Sequence, residues 1–155
     1  MAFYQLRKEQ IVNANIDEIW DFISAPENLQ KITPAYMKFQ ITRKGLTDKM
    51  HPGMIVTYKV SPIPKIRTTW VTEITQVEDK KFFVDEQRMG PYKMWHHQHH
   101  LIPVENGVKM VDIVSYIPPF GFLGAIANRL FIAEQLERIF AHRKKVMEEI
   151  YPNKK

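Results

Sequence analysis

Four of the chain's six histidines fall in one run, Trp95-His96-His97-Gln98-His99-His100. Imidazole is the side chain whose ordinary pKa lies closest to neutrality, so this run is where proton transfer or recognition of an oxygen is to be sought first. Side chains on a strand alternate, which puts Trp95, His97, His99 and Leu101 on one face and His96, Gln98 and His100 on the other. Three uses of the first face compete. Its polar groups can tie strands together by hydrogen bonds, His97 to Tyr116 and Glu86 to Arg88. They can form a polar anchor in an otherwise apolar pocket, where a few convergent groups fix one oxygen of a ligand. Or they can do general acid–base work, with His97 and either Asp112 or Tyr116 as the catalytic candidates. His97, His99 and Asp112 are also acceptable zinc ligands, but the sequence names no group to orient them, and no metal site is expected. The sequence has no serine nucleophile elbow, no glycine-rich phosphate loop and no dinucleotide fingerprint.

Neighbouring turns decide which residues join this face. If Asn106-Gly107 is a two-residue hairpin turn, Leu101 stands opposite Asp112, His99 opposite Val114 and His97 opposite Tyr116. A similar turn at Gly90-Pro91 sets Arg88 against Lys93, Glu86 against Trp95 and Val84 against His97. One face then holds Glu86, Arg88, Trp95, His97, His99, Asp112 and Tyr116. A slip of one residue breaks this grouping, because it carries every side chain of a strand to the other side.

The element that must cover such a face is the stretch from Gly121 to Tyr151, free of proline until Pro152. Phe122, Ile126, Ala133, Leu136, Phe140 and Met147 recur at helical spacing and predict one long helix of roughly 45 Å at 1.5 Å per residue. Ahead of it come a strand over Phe3 to Val12, then a short helix capped by Asn15 with Glu18 and carrying Ile16, Ile19, Trp20 and Ile23 inward. A second short helix starts near Ser24 and Pro26, faces Leu29 and Ile32 inward, and stops at Thr33-Pro34. Alternation then predicts strands through Met37, Phe39 and Ile41 and through Met54, Val56, Tyr58 and Val60, with a loop from Lys44-Gly45 to His51-Pro52-Gly53 between them. Pro62 and Pro64 interrupt the ladder. Longer strands follow over Ile66 to Val77, Lys81 to Met89, Lys93 to Val104 and Val108 to Ile117. The order of elements predicts an α+β fold, a curved antiparallel sheet packed on the long helix. Pro118-Pro119-Phe120-Gly121-Phe122-Leu123-Gly124 joins the last strand to that helix, and Phe120, Phe122, Leu123 and Ile126, with Ile63, are expected at a portal.

The 155 residues suit one domain spanning 1–155. Without cysteine there is no disulfide framework, thiolate metal site or thiol nucleophile, and a cytoplasmic location is the simplest expectation. A net charge of +5 raises the possibility of a nucleic-acid or protein partner at a basic surface. The basic residues are scattered, however, with clusters only at Arg143-Lys144-Lys145 and Lys154-Lys155, and a solvated surface is the simpler reading. No apolar run reaches the roughly 18 residues of a membrane span.

Several of these residues also carry a resemblance. Asn28-Leu29 and Ile32-Thr33-Pro34 after the first helix, then Phe83-Val84-Asp85-Glu86-Gln87, Gly90-Pro91-Tyr92, Trp95, His97, His99, Asp112, Val114, Tyr116, Pro118 and Gly121, are similar to the START and birch-pollen-allergen superfamily. This is the SRPBCC or polyketide cyclase/dehydrase group, and the likeness is to a bacterial branch found alone or fused to epimerase-like "cell-division inhibitor" proteins. The resemblance implies a helix-grip fold, seven strands wrapped round the C-terminal helix, and a hydrophobic small molecule in the cavity between them. It implies no cofactor, and a cyclase or dehydratase activity in only some relatives. The ligand-binding residues expected are Glu86, Arg88, Trp95, His97, His99, Tyr116, Phe120, Phe122, Leu123 and Ile126, in a monomer or homodimer.

Overall fold

The computed structural model describes residues 2–42, 49–63 and 65–152. Lys44-Gly45, Pro64, the Lys154-Lys155 tail and the side chain of Ile63 lie outside the described residues. Strands β1 (Tyr4–Val12), β2 (Gln40–Ile41), β3 (Ile55–Ile63), β4 (Ile66–Glu78), β5 (Phe82–Met89), β6 (Met94–Val104) and β7 (Gly107–Ile117) form one antiparallel sheet in the order β1-β7-β6-β5-β4-β3-β2. Register breaks at Val60/Ile63, Val71/Thr72 and Ile74/Gln76 interrupt the β3, β4 and β5 ladders. Such irregularities bend strands and increase twist, which is how the sheet curls.

Helix α1 (Ile16–Ile23) follows β1 and carries the expected capping box, Asn15 and Glu18 each accepting from the other's backbone N–H. It buries Ile19, Trp20 and Ile23 against the sheet. A 3-10 turn over Pro26–Gln30 replaces the second short helix, and its first residue has no side-chain cap. The strand expected through Met37, Phe39 and Ile41 shrinks to β2, because Ala35–Met37 is another 3-10 turn and Lys38 then takes a left-handed conformation (φ 48°).

The C-terminal helix spans the predicted stretch in three parts: α2 (Gly121–Ala127), a π turn (Asn128–Ile132) and α3 (Ala133–Ile150). Its buried face is not the apolar stripe in the first half. Gly124, Asn128 and Ile132 point inward and lead on to Leu136, Phe140, Arg143 and Met147. Two contacts dictate this rotation. A side chain at position 124 would place its Cβ 1.9 Å from the Pro119 carbonyl oxygen, so only glycine allows the approach. Asn128 turns in because its Oδ1 accepts the hydroxyl proton of buried Tyr116 at 2.8 Å. The wider π turn lets inward positions recur every four residues without drifting off the sheet.

Buried side chains divide into three groups: one under α1 around Trp20, Phe83 and Met147, one around Tyr116, Leu136 and Phe140, and one of Met37, Val60 and Trp70. A core in pieces leaves room between them.

Gly107 ends the turn that fixes the β6/β7 register. Its φ is +137°, and a Cβ there would sit 2.1 Å from the Val12 carbonyl oxygen. Gly107→Ala is therefore expected to cost about 2 kcal/mol or more in urea unfolding. Gly53→Ala, at φ +84° with open space around it, should cost only the left-handed strain of about 1 kcal/mol. Equal losses would contradict the contact at position 107.

Candidate functional site

The β6 histidines are placed by two turns that differ from the two-residue expectations. Val104 pairs with Gly107, so the turn is Glu105-Asn106 rather than Asn106-Gly107, and the register moves by two. His99 then faces Asp112, His97 faces Val114 and Trp95 faces Tyr116, with every side chain still on its expected side. At the other end the ladder stops at Glu86 paired with His96. The Gln87 amide spans the open end, donating to the Tyr92 carbonyl at 2.7 Å and accepting from the Tyr92 N–H at 3.2 Å. That wider turn shifts β5 by one residue, so that Asp85 stands opposite His97, where Val84 was expected, and Glu86 passes to the other face.

The slip decides the chemistry of the face. Asp85, His97, His99 and Asp112 lie side by side across β5, β6 and β7. His97 Nε2 is 3.0 Å from Asp112 Oδ1, and His99 Nε2 is 2.8 Å from Asp85 Oδ2. The opposite ring nitrogens complete the square: His97 Nδ1 lies 3.5 Å from Asp85 Oδ2 and His99 Nδ1 lies 2.9 Å from Asp112 Oδ1. The last contact is short but poorly aligned, so His99 Nδ1 is a buried nitrogen without a directed hydrogen bond among the described residues. Arg143 reaches down from α3 and donates to Asp112 Oδ1 at 3.0 Å. The two imidazoles lie 3.7 Å apart, between Phe83 stacked on His99 at 4.1 Å and Phe140 edge-on to His97 at 5.7 Å.

This network borders a cavity of about 170 Å³ between the sheet and α3. Asp85, His97, His99 and Arg143 form its polar end. Its walls are apolar and aromatic: Tyr58, Trp70 and Trp95 from the sheet, Tyr92 from the β5–β6 turn, Leu136, Ile139 and Phe140 from the helix, and Leu29, Ile32 and Met37 from the turns after α1. The rings touch in series, Trp70 to Tyr58 at 5.9 Å, to Tyr92 at 5.7 Å and to Trp95 at 5.4 Å. Burial holds the Tyr58 and Tyr92 hydroxyls well above the ordinary tyrosine pKa, so both are neutral donors.

Burial by itself disfavours every charge in the network, and the groups answer differently. Burial would raise Asp112, but the Arg143 charge, the His97 hydrogen bond and the adjacent His99 ring hold it well below the usual carboxylate range. Asp85 goes the same way, lowered by its His99 hydrogen bond and by the charges of His97 and His99 in spite of burial. Burial and then the neighbouring His99 charge push His97 down, against its Asp112 hydrogen bond. Burial would also lower His99, but the adjacent Asp112 carboxylate and the hydrogen bond to Asp85 outweigh it and raise the ring. The two histidines are thus driven apart, His99 toward imidazolium and His97 toward neutral imidazole.

Other expected site residues lie elsewhere. Glu86 and Arg88 belong to the opposite face: Glu86 binds His96 at 2.8 Å and Arg88 binds Glu73 on the surface. Tyr116 is buried beneath the helix and spends its hydroxyl on Asn128, away from the cavity. Asp112 stands behind the histidines, bordering instead a polar crevice between β1 and α3. Phe120, Phe122, Leu123 and Ile126 do not line the cavity; with Phe120 at 81% and Phe122 at 76% exposure they form a ridge on the outside, because Gly124 and Asn128 hold the inner side of that turn. Trp95, His97 and His99 are where the alternation put them. Asp85 and Arg143 lie outside that expectation, and Arg143, expected with Lys144 and Lys145 on a solvated surface, is buried because it turns in to Asp112. Asp85 alternates with buried Phe83, and Arg143 interrupts the apolar spacing of Leu136, Phe140 and Met147, which was a readable signal.

A curved antiparallel sheet closed on a terminal helix, with an apolar hollow between them, defines a helix-grip protein. The sequence profile of the polyketide cyclase / dehydrase and lipid transport family matches residues 12–145, and the chain belongs to that family. No curated protein matches the sequence. Among solved structures the fold is similar to Zhui aromatase/cyclase from Streptomyces sp. R1128, at TM-score 0.74 and 13% identity over 97% of this chain and 94% of that one. It is also similar to protein CV1439 from Chromobacterium violaceum (TM-score 0.74, 10% identity, 97% and 99% covered) and to Ara h 8.0201 (TM-score 0.59, 9% identity, 96% and 99% covered). At these identities the likeness concerns the fold.

The linkage of the network to pH has a definite sign. His99, raised above its unfolded value of about 6.5, contributes stability that is fully present below that pH and lost as pH rises through the folded value. His97, lowered, contributes stability above about 6.5 that is lost as pH falls through its folded value, and the two carboxylates lose theirs on acidification below about 4. Imidazole 1H–15N spectra from pH 5 to 9 should show the His99 midpoint above that of His97, and Asp85→Asn should move the His99 midpoint down. Coincident midpoints that ignore Asp85 would contradict the network. Arg143→Met, which strips Asp112 of its guanidinium, should cost about 3–5 kcal/mol in urea unfolding at pH 7.

Proposed function

We propose that the chain is a single ligand-binding domain that holds a hydrophobic small molecule between sheet and helix. The observation that carries this reading is the aromatic cavity with one polar end, Asp85, His97, His99 and Arg143. Ligand sites commonly pair apolar walls with a few convergent polar groups. The size narrows the class. A cavity near 150 Å³ takes up benzene, so the enclosed space suits one ring or a short branched segment, with the remainder of a larger lipid-like, isoprenoid or polyketide-like ligand in the open part. The run of Tyr58, Trp70, Tyr92 and Trp95 favours an aromatic group. An oxygen on that group would meet the polar end, with its Arg143 guanidinium and its two imidazoles.

A second reading is supported by one observation. The two imidazoles lie 3.7 Å apart, one driven toward the neutral and the other toward the protonated form, and such a pair suits the base and acid of a cyclase or dehydratase. In this chain the pair would be His97 and His99 beside Asp85, with Asp112 orienting them and Tyr116 taking no direct part. A nucleic-acid or protein adaptor is less well supported, because many surface cations are paired with acids, among them Lys8 with Glu137, Lys49 with Asp21, Lys80 with Asp17 and Arg138 with Glu134. No helix among the described residues is long and apolar enough to cross a membrane. A cytoplasmic setting and a monomeric or homodimeric state complete the proposal.

The test is a displacement assay with a solvent-sensitive dye, read beside quenching of Trp70 and Trp95, against fatty acids, isoprenoid alcohols and hydroxylated aromatic compounds. Binding in the micromolar range is expected, and Ile139→Trp, which fills the cavity from α3, should weaken it at least tenfold. Unchanged affinity in that variant, or no binding by any of the three classes, would refute the cavity as the site.

A further inference from the structure

We propose that Asp85, His97 and His99 form a binding site for one divalent first-row transition ion of the zinc or iron(II) type, with its open coordination positions directed into the cavity. The donor atoms of these three residues lie within 4.8 Å of one another, and all three residues border the cavity. Bonds of about 2.0–2.2 Å place neighbouring ligands of a tetrahedral or octahedral ion roughly 2.9–3.5 Å apart. The separations from Asp85 Oδ2, 2.8 Å to His99 Nε2 and 3.5 Å to His97 Nδ1, already lie close to that range. An ion needs shifts of a few tenths of an ångström and no change of fold.

What lies behind the donors makes this more than a chance grouping. A metal-binding imidazole characteristically gives its other nitrogen to a carboxylate, which fixes the ring and raises its basicity. Here one carboxylate stands behind both rings: Asp112 Oδ1 is hydrogen-bonded to His97 Nε2 at 3.0 Å and lies 2.9 Å from His99 Nδ1, and Arg143 in turn anchors Asp112. His99 Nδ1 is the nitrogen left without a directed hydrogen bond, so a small rotation that brought Nε2 onto an ion would also realign it. Charge agrees. Ligation displaces the proton that His99 favours, and with both rings then neutral Asp85 and Asp112 against Arg143 leave one net negative charge in a buried site, which favours a cation. A dication overshoots by one, and the remaining charge calls for an anionic oxygen on the cavity side. Two histidines and one carboxylate with free positions are the donor set of ions that bind or polarise oxygen ligands. The ligand class is therefore an apolar molecule bearing a carboxylate, phenolate or enolate oxygen.

The experiment uses cobalt(II) as the probe, added to tag-free, chelator-treated protein. One ion per chain is expected, with visible d–d bands that zinc abolishes by displacement and that benzoate shifts. Asp85→Asn and His99→Ala should each lower the affinity at least 100-fold, and Asp112→Asn about 10- to 100-fold while keeping the bands. Circular dichroism of each variant establishes that it is folded, and X-ray absorption of the zinc-loaded wild type should show two imidazoles and an oxygen without recourse to any variant. Absence of bands at millimolar cobalt, bands unchanged in folded Asp85→Asn, or zinc without two imidazoles would overturn the metal site. Bands indifferent to benzoate would overturn its opening to the cavity. Dye displacement by the metal-free protein is read separately, so failure here leaves the apolar cavity untouched.

Discussion

The contact on which most of the molecule depends is the meeting of Arg143 with Asp112 under the long helix. Removing a carboxylate and a guanidinium from water costs several kcal/mol per ion, and attraction compensates only when geometry is good and the remaining lone pairs are filled. Asp112 meets this demand by accepting from Arg143 and His97 with His99 close by, and His99 passes the tie on to Asp85. Three strands and one helix are thereby locked in relative position. Replacing any one member strands the others, so the network specifies the register of β5, β6 and β7 as firmly as it shapes the cavity.

The cavity is the other side of the same arrangement. Close-packed cores fill space with apolar side chains, yet here the helix presents Arg143 between Phe140 and Met147, and the sheet answers with charged and titratable groups. An apolar layer cannot close over such groups without leaving them unsatisfied. The buried residues gather instead into three groups around the gap. Aromatic side chains line what is left, Trp70 meeting Trp95 edge to face and stacking on Tyr58.

Much of this architecture was legible in the sequence, because it rests on period. Alternation found β3 to β7, the Asn15 and Glu18 box found α1, and helical spacing found the extent of the C-terminal helix. Parity also grouped Trp95, His97 and His99 on one face, although alternation alone does not say which side of the sheet meets the helix. What period could not give was register, since that belongs to turn geometry. Moving the β6/β7 turn to Glu105-Asn106 kept parity and exchanged only partners, whereas the wider turn beyond Gln87 reversed it and traded Glu86 for Asp85. Hydrophobicity misled in the front half of the last helix. Phe122 and Ile126 make the greasier stripe, but close approach to Pro119 demands a glycine and the Tyr116 hydroxyl demands an acceptor, and these local needs outweighed the gain from burying two large side chains.

The π turn over Asn128–Ile132 has a consequence for how this chain can change over evolutionary time. A turn that holds one residue more than an α turn can give that residue up and close as ordinary helix. Loss of a single codon there would leave α3, with Arg143 and Phe140, seated as before. The rotation would fall on the first two turns, where it would give up the Gly124 approach to Pro119 and the Asn128 bond to Tyr116. A change of length ruinous elsewhere in the helix would act here as a swivel, turning the outer ridge while sparing the hollow below.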